Sequence, residues 1–423
     1  GVMLSHYNLA SCIRQVKDIL PVVPGDRVLS FLPLCHIFER AATYAYIYDG
    51  LSIYQTGTEN LGGESGDLKS VSPHFFTSVP RLLEKVYEKI YNKGEELTGI
   101  KRKLFFWALS LADEFEYDIP PHGINAIKWK IADKLIFSKW RAALGGQVKG
   151  IVTGSAPCPE KILRVFSAAG VPVREAYGLT EAAPGISINK FSPGQAIIGT
   201  VGPLLPQVEI TLDNSDKMYK DGEGEIIAAG DNIMQGYYKQ PALTAEAIVE
   251  KDGKKWLRTG DIGTFVTGKD GTKFLKITDR KKELFKTSGG KYVAPAPIEN
   301  KLKEDFLIDN IMLVGDGMKF VSALIVPSEE SLKHWCGNQN IAWTTLAEVI
   351  KLPEVKLLYQ SLIDKYNPLF GHIEQIKKFE LVPDMWAPLK PDGTEGELTP
   401  TLKLKRRSIK SKYSSVINSI YTE

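Results

Sequence analysis

Between Arg27 and Gly178 the sequence switches repeatedly between two periodicities, and this alternation restricts the fold more than any other feature. Short runs rich in β-branched and aromatic residues occur at 27–33 (RVLSFLP), 51–56 (LSIYQT), 74–80 (HFFTSVP), 148–154 (VKGIVTG) and 172–178 (PVREAYG). Each is bounded by Gly, Pro or a polar cluster, as strands are. Helical stretches such as 81–91 and 161–169 lie between them. The alternation predicts an α/β layer with a mainly parallel sheet. Ligands in such folds collect at the carboxyl ends of the strands.

Two longer amphipathic helices are predicted near 99–117 and 126–143. The first carries KRKLFFWALSLADEF, with Phe105, Phe106 and Trp107 beside a basic triplet. Such a face either packs on the α/β core or rests on a membrane surface. From 196 the pattern changes to strand-like segments with Gly-rich turns (QVEITL, GEIIAAG, WLRTGDIGTFV, KFLKIT), a β-barrel-like subdomain. From 280 helices and strands mix again, ending in a basic helix. A chain of 423 residues exceeds one core. The predicted organisation is therefore an α/β part over 1–195, a β subdomain over 196–279 and an α+β unit over 280–423.

Charge excludes some partners. Fifty-three basic against 50 acidic residues leave a net charge of +3, so no general nucleic-acid partner is implied, and an anionic ligand must be held by local charge. Cys12, Cys35, Cys158 and Cys336 form no CxxC pair, which suggests neither a zinc site nor a disulfide framework. Isolated thiols fit a reducing, cytoplasmic compartment. No apolar run approaches the ~20 residues that cross a bilayer. Met3 stands inside the opening GVMLSH rather than before it, so a leader upstream stays open.

Five motifs can carry chemistry. In GSAP (154–157), after a strand, small residues either let an anion approach backbone N–H groups or simply make a tight strand-to-helix turn. In EAYGLTEAAPG (175–185) the strand is expected to end at Tyr177 and Gly178 to make a sharp turn. Thr180 and Glu181 then project a hydroxyl and a hard carboxylate suited to phosphate and Mg²⁺, and Tyr177 can stack on a purine. In WLRTGDIGTF (256–265) Asp261 either accepts ribose hydroxyls or sits in an ordinary turn. ITDRKKELFKTSGGKYV (277–293) places basic residues and a Gly pair at a domain boundary, a natural hinge or a solvated loop. In ELTPTLKLKRR (397–407) Lys403 either reaches developing negative charge or belongs to a basic tail.

The order GSAP, YGLTE, RTGD, DRKKELFKTSGGKYV, LTPTLKLKR resembles the adenylate-forming enzymes, and within them the long-chain fatty acyl-CoA synthetases. The resemblance runs essentially from Gly1 to the terminus. It implies the adenylate-forming fold: a large lobe, here partial, carrying the α/β part and the β subdomain, and a smaller, mobile C-terminal domain. GVMLSH resembles the end of that family's phosphate loop and the helix after it, so the loop and more N-terminal sequence are expected to precede Gly1. The resemblance further implies ATP, Mg²⁺, coenzyme A and a fatty acid as ligands. Tyr177 would lie against adenine, near Glu175, Ala176, Gly178 and the turn Gly154, Ser155, Ala156, Pro157. Thr180 would bind phosphate, Glu181 Mg²⁺, Asp261 the ribose and Arg280 the ribose or phosphate. Lys282 matches the hinge, Ser288, Gly289 and Gly290 the pantetheine path, and Lys403 the lysine that assists adenylation. His36 matches a position near the acyl pocket, where a structural histidine is the alternative. Leu402 departs from the family's usual Gly before that lysine. The implied activity is conversion of a long-chain fatty acid to acyl-AMP and then acyl-CoA. The alternatives are an acyl-AMP ligase that loads a carrier protein, and a catalytically silent fragment without the phosphate loop.

Overall fold

The computed structural model describes residues 1–423 except Thr58, Glu59, Glu64, Lys217, Asp252, Pro391, Pro400, Thr401 and Glu423. Pro400 and Thr401, part of the motif before Lys403, thus lie outside the described residues. The chain divides into two compact units, Gly1–Ile277 and Thr278–Glu423.

The first unit opens with a short strand, β1 (Val2–Met3), and helix α1 (His6–Val16). Ser5 caps α1: its Oγ accepts from the Asn8 N–H, while Asn8 Oδ1 accepts from the Ser5 N–H. Then come β2 (Arg27–Ser30), α2 (Ile37–Tyr48), β3 (Ser52–Gln55), α3 (Asp67–Val71), β4 (Phe75–Ser78), α4 (Pro80–Glu95) and α5 (Gly99–Asp113). After α6 (Ile124–Ala132) and α7 (Ser138–Ala143) follow β5 (Gly150–Thr153), α8 (Glu160–Ala168), β6 (Val173–Gly178) and β7 (Gly185–Ile188). The six strands β2 to β7 form one sheet in the order β3-β2-β4-β5-β6-β7. Its pairings are parallel except β6 with β7. All four residues of β4 and of β5 are buried, which explains their continuous apolar runs.

The long helix expected over 126–143 forms as a continuous helical stretch, 124–143, with a widened turn inside it. Between α6 and α7 the stretch Asp133–Phe137 is π-helical. The wider turn brings the Phe137 ring to 6.0 Å from Trp129 and 5.3 Å from Trp140, so aromatic packing overrides the regular period. Helix α5 buries Phe105, Leu109 and Leu111 inside the unit. Ile100 at the start of α5 is exposed, and a row of exposed aliphatic residues lies on α6 and the turn after it, at Ile124, Ile127, Ile131 and Leu135.

A second sheet contains β8 (Glu209–Asp213), β9 (Gly224–Ala229), β11 (Ile248–Lys251), β12 (Lys254–Thr267) and β13 (Lys273–Arg280), ordered β11-β12-β9-β8 with β13 also on β12. Between β9 and β11 lie β10 (Gly236–Tyr237), paired with β1, and α9 (Pro241–Ala247). One apolar core joins the sheets: Val28, Phe75, Val152 and Ile186 pack with Ile226, Ala228, Leu257 and Leu275.

The second unit begins with a hairpin, β14 (Phe285–Lys286) and β15 (Tyr292–Val293), then α10 (Pro295–Leu302), β16 (Ile308–Val314) and β17 (Val321–Pro327). Helices α11 (Glu329–Asn338), α12 (Leu346–Val349) and α13 (Pro353–Tyr366) precede β18 (Ile376–Leu381). Helices α14 (Arg406–Lys412) and α15 (Ser414–Thr422) close the chain. The sheet order is β16-β17-β18. Period-2 alternation sends Ile311, Leu313, Ala323 and Ile325 to one core and Met312, Val314, Leu324 and Val326 to another on the opposite face. Among the described residues no helix is long and apolar enough to cross a membrane.

Candidate active site

The carboxyl ends of β5 and β6 carry the first two motifs. After β5 the chain turns through Gly154–Pro157, with Ser155 at φ +69°. A Cβ on Gly154 would stand 3.2 Å from the Ala176 carbonyl and 3.5 Å from the Phe38 ring, so glycine lets three segments close up here. The Cys158 N–H donates to Glu175 Oε1 at 3.1 Å, tying the turn to β6. Glu175 is buried, and loss of water pushes its carboxyl up to about 8.

The turn expected at Gly178 falls later. Strand β6 continues through Gly178, which pairs with Gly185; Thr180–Ala182 form a 3₁₀ turn, and the left-handed residue is Ala183 at φ +51°. Glycine is required at 178 for another reason: a Cβ would lie 1.6 Å from the Pro184 carbonyl oxygen. The turn is held from outside. Met234 N–H donates to the Glu181 carbonyl at 2.8 Å, and the buried Asn232 donates to the carbonyls of Ala182 (3.1 Å) and Gly185 (2.6 Å). Thr180 is exposed and Glu181 half-buried. The Tyr237 hydroxyl donates to Glu181 Oε1 at 2.8 Å. Burial, reinforced by that carboxylate, pushes the Tyr237 phenol up to about 12. Tyr237 pairs with Val2, which sets Gly1–Met3 beside this turn.

Asp261 arrives from β12. The register against β9 shifts between Arg258 and Ile262, with Gly260 at φ +71°, and this irregularity re-aims the strand. The Tyr177 hydroxyl donates to Asp261 Oδ2 at 2.7 Å. Thr259 Oγ1 accepts from the Asp261 N–H at 3.1 Å and donates to the Ile226 carbonyl. His36 stands at the N-cap of α2, whose first turn is moored by the buried Glu39. That carboxylate accepts from Ser30 Oγ at 2.6 Å and Thr77 Oγ1 at 2.5 Å, at the ends of β2 and β4.

The remaining expected residues belong to the second unit. Arg280 ends β13 and Lys282 is exposed in the turn after it. Ser288, Gly289 and Gly290 form the exposed tip of the β14–β15 hairpin, with Gly290 at φ +79°. Lys403 is half-buried; its N–H donates to Thr399 Oγ1 at 3.0 Å and its carbonyl accepts from the Thr399 N–H at 2.8 Å. Leu402 has φ +62°, a left-handed conformation that glycine takes without strain.

Within the first unit the structure thus brings together Glu175 with the 154–158 turn, and Tyr177 with Asp261. Asn232, Tyr237, Thr259 and Glu39 were not foreseen. GDNIMQGYY offers no spacing that marks it as the partner of residues fifty positions earlier. Among the described residues no group of three or more His, Cys, Asp or Glu could hold a metal ion. Glu181 still fits Mg²⁺, which takes one or two protein carboxylates and completes its shell with phosphate oxygens and water.

Comparison with known proteins agrees with this layout. The family described as AMP-binding enzyme matches residues 1–238, and the AMP-binding enzyme C-terminal domain matches 283–423. The chain belongs to the AMP-binding, adenylate-forming enzymes. It is 32% identical to the long-chain-fatty-acid–CoA ligase FadD15 of Mycobacterium bovis, covering all of this chain and 67% of that protein. It is 34% identical to the human long-chain-fatty-acid–CoA ligase 1, again over the whole chain and 59% of the relative. Its fold matches the carboxylate reductase adenylation domain of Mycobacterium chelonae, with TM-score 0.70 at 21% identity over 100% of this chain and 58% of that one. The A domain of the Segniliparus rugosus carboxylic acid reductase, in complex with AMP and a carboxylic acid, gives 0.71 at 21% identity over 100% and 59%.

Proposed function

We propose that the protein activates a long-chain fatty acid to its coenzyme A thioester in two steps. A carboxylate oxygen first attacks the α-phosphorus of ATP, forming acyl-AMP and expelling pyrophosphate. The CoA thiol, losing its proton, then attacks the acyl carbonyl, and AMP leaves. The observation that carries the reading is the convergence of sequence-remote polar groups at the carboxyl end of β6: Tyr177 with Asp261, and Glu181 with Tyr237. Relatives that share the whole chain are named for long-chain fatty acids.

In this reading the Tyr177 ring lies against adenine, with Glu175, Ala176, Gly178 and the Gly154–Pro157 turn around it. Asp261 accepts from the ribose hydroxyls, and Tyr177 fixes which carboxylate oxygen is presented. Thr180 donates to phosphate. Glu181 would hold Mg²⁺, which when bound neutralises phosphate charge; Tyr237 orients that carboxylate. Attacker and target are both anionic, so Arg280 and Lys403 add cationic stabilisation. Lys403 serves only the first step. Reorientation of the C-terminal domain about Lys282 then presents Ser288–Gly290 to the pantetheine arm. His36 borders the acyl pocket. Incubation of the protein with ATP, Mg²⁺, CoA and palmitate, followed by mass spectrometry, tests the reading. Acyl-CoA is the expected product; acyl-AMP that accumulates despite CoA and is discharged by a carrier protein would move the assignment to an acyl-AMP ligase.

A cytoplasmic enzyme with an apolar substrate gains from peripheral contact with an anionic bilayer, and the face that supports this is α6 rather than α5. Ile124, Ile127 and Ile131 are 71%, 61% and 45% exposed on one side of the helix. The segment 119–139 holds Lys128, Lys130, Lys134 and Lys139 against Asp133, which pairs with Arg141.

A further inference from the structure

In KLKRR the two arginines read as a basic tail, yet Arg406 is half-buried while Arg407 is exposed. Burying a guanidinium costs several kcal/mol unless its donors are matched. Here they are. Arg406 Nη1 and Nη2 donate to Glu299 Oε1 and Oε2 at 2.8 and 2.6 Å, a two-point fork, and Nε donates to Glu283 Oε2 at 3.1 Å. Glu299 also accepts from the Leu313 N–H at 2.7 Å, which fixes it to β16. The other oxygen of Glu283 faces Arg280 Nη1 at 3.9 Å. The buried Asp279 lies beside both glutamates and accepts from the Arg280 N–H at 2.5 Å; burial pushes its carboxyl up to about 7. Two arginines therefore meet two glutamates, with a third, buried acid beside them whose carboxyl is pushed up by loss of water.

The order Arg280–Glu283–Arg406–Glu299 has a consequence for the residues on either side. Glu283 stands three positions after Arg280, and Arg406 three after Lys403. Arg406 opens α14, and the residue before it is pinned too: Lys405 N–H donates to the Glu397 carbonyl at 2.8 Å and its Nζ to Glu395 at 2.9 Å. We infer that Arg406 and Glu283 are positioning residues for adenylation, whose charge-paired chain sets the spacing between Arg280 and Lys403. The inference rests on the function proposed above. An apolar pair would hold α14 to α10 equally well, but it would not join the two cations.

The test separates the half-reactions. Arg406→Lys keeps the charge and loses the fork; Glu283→Gln keeps the shape of a half-buried side chain. In each, acyl-dependent ATP–pyrophosphate exchange is expected to fall about 30-fold, somewhat less than the roughly 100-fold that a 1 Å misplacement can cost. Thioester formation from supplied acyl-AMP and CoA, which does not use Lys403, should change less than about threefold. Equal loss in both half-reactions marks a merely structural role and overturns the inference, as does full exchange in both variants. Lys403→Ala run in parallel distinguishes the levels. If it retains exchange, the role proposed for Lys403 fails and the positioning inference with it; if the parent shows no acyl-dependent exchange, the proposed function itself fails; if Lys403→Ala loses exchange while both positioning variants keep it, only the positioning role fails. Should Arg406→Lys not fold, Glu283→Gln decides alone.

Discussion

The Tyr177 hydroxyl and Asp261 Oδ2 stand 2.7 Å apart, joining two residues separated by 84 positions at the carboxyl end of the parallel sheet. The bond fixes the orientation of the Asp261 carboxylate, the group proposed to meet the ribose. Tyr177→Phe keeps the ring and removes the donor. A hydrogen bond to a charged acceptor is worth about 1.5–3 kcal/mol, part of which water restores, so KM for ATP should rise about tenfold. An unchanged KM would separate the pair from nucleotide binding.

Glu175 predicts a pH dependence of stability. Its folded value of about 8 lies above the unfolded carboxyl range. Between the two, the folded state holds a proton that the unfolded chain has released, so stability falls as pH rises, by at most about 1.4 kcal/mol per unit. Glu175→Gln stays neutral and can still accept from the Cys158 N–H. Its melting temperature should match the parent's near pH 5 and exceed it by several degrees at pH 8. A difference that is flat with pH contradicts the burial argument.

At Leu402 two effects oppose. Its left-handed backbone costs about 1 kcal/mol for a residue with a Cβ, while its side chain packs against the core around Trp386 and Ile409. Leu402→Gly should therefore change stability by less than about 1 kcal/mol. Leu402→Ile keeps the apolar surface but adds a β-branch that this conformation resists; chemical denaturation should show a loss of about 1–2 kcal/mol. The reverse order would mean that packing alone decides this position.

Much of this arrangement was legible in advance. Strands β2, β4 and β5 announced themselves as short buried runs, Tyr177 and Glu181 by residue type near a strand end, and Asp261 by its place between two glycines in a strand-rich region. What stayed hidden depended on contacts between distant segments. No local pattern pairs Tyr237 with Glu181, or shows that Gly178 is needed for the approach of Pro184 rather than for a turn. The π-helical Asp133–Phe137 arose from aromatic packing that a 3.6-residue period does not encode. Arg406 looked like any tail residue until Glu283 and Glu299 surrounded it.

The α6 face should bind anionic vesicles. Ile127→Asp with Ile131→Asp is expected to reduce cosedimentation with phosphatidylglycerol-containing vesicles at least fivefold, and moderate salt should weaken binding by the parent. Equal binding by parent and variant would remove this face from any membrane role.

The central claim is that one ammonium group, on Lys403, serves acyl adenylation and not thioester formation. Acyl-dependent ATP–pyrophosphate exchange in Lys403→Ala measures it directly. The account predicts a fall of at least about 100-fold, the usual cost of losing one transition-state contact, with thioester formation from supplied acyl-AMP retained. Undiminished exchange in Lys403→Ala would contradict it.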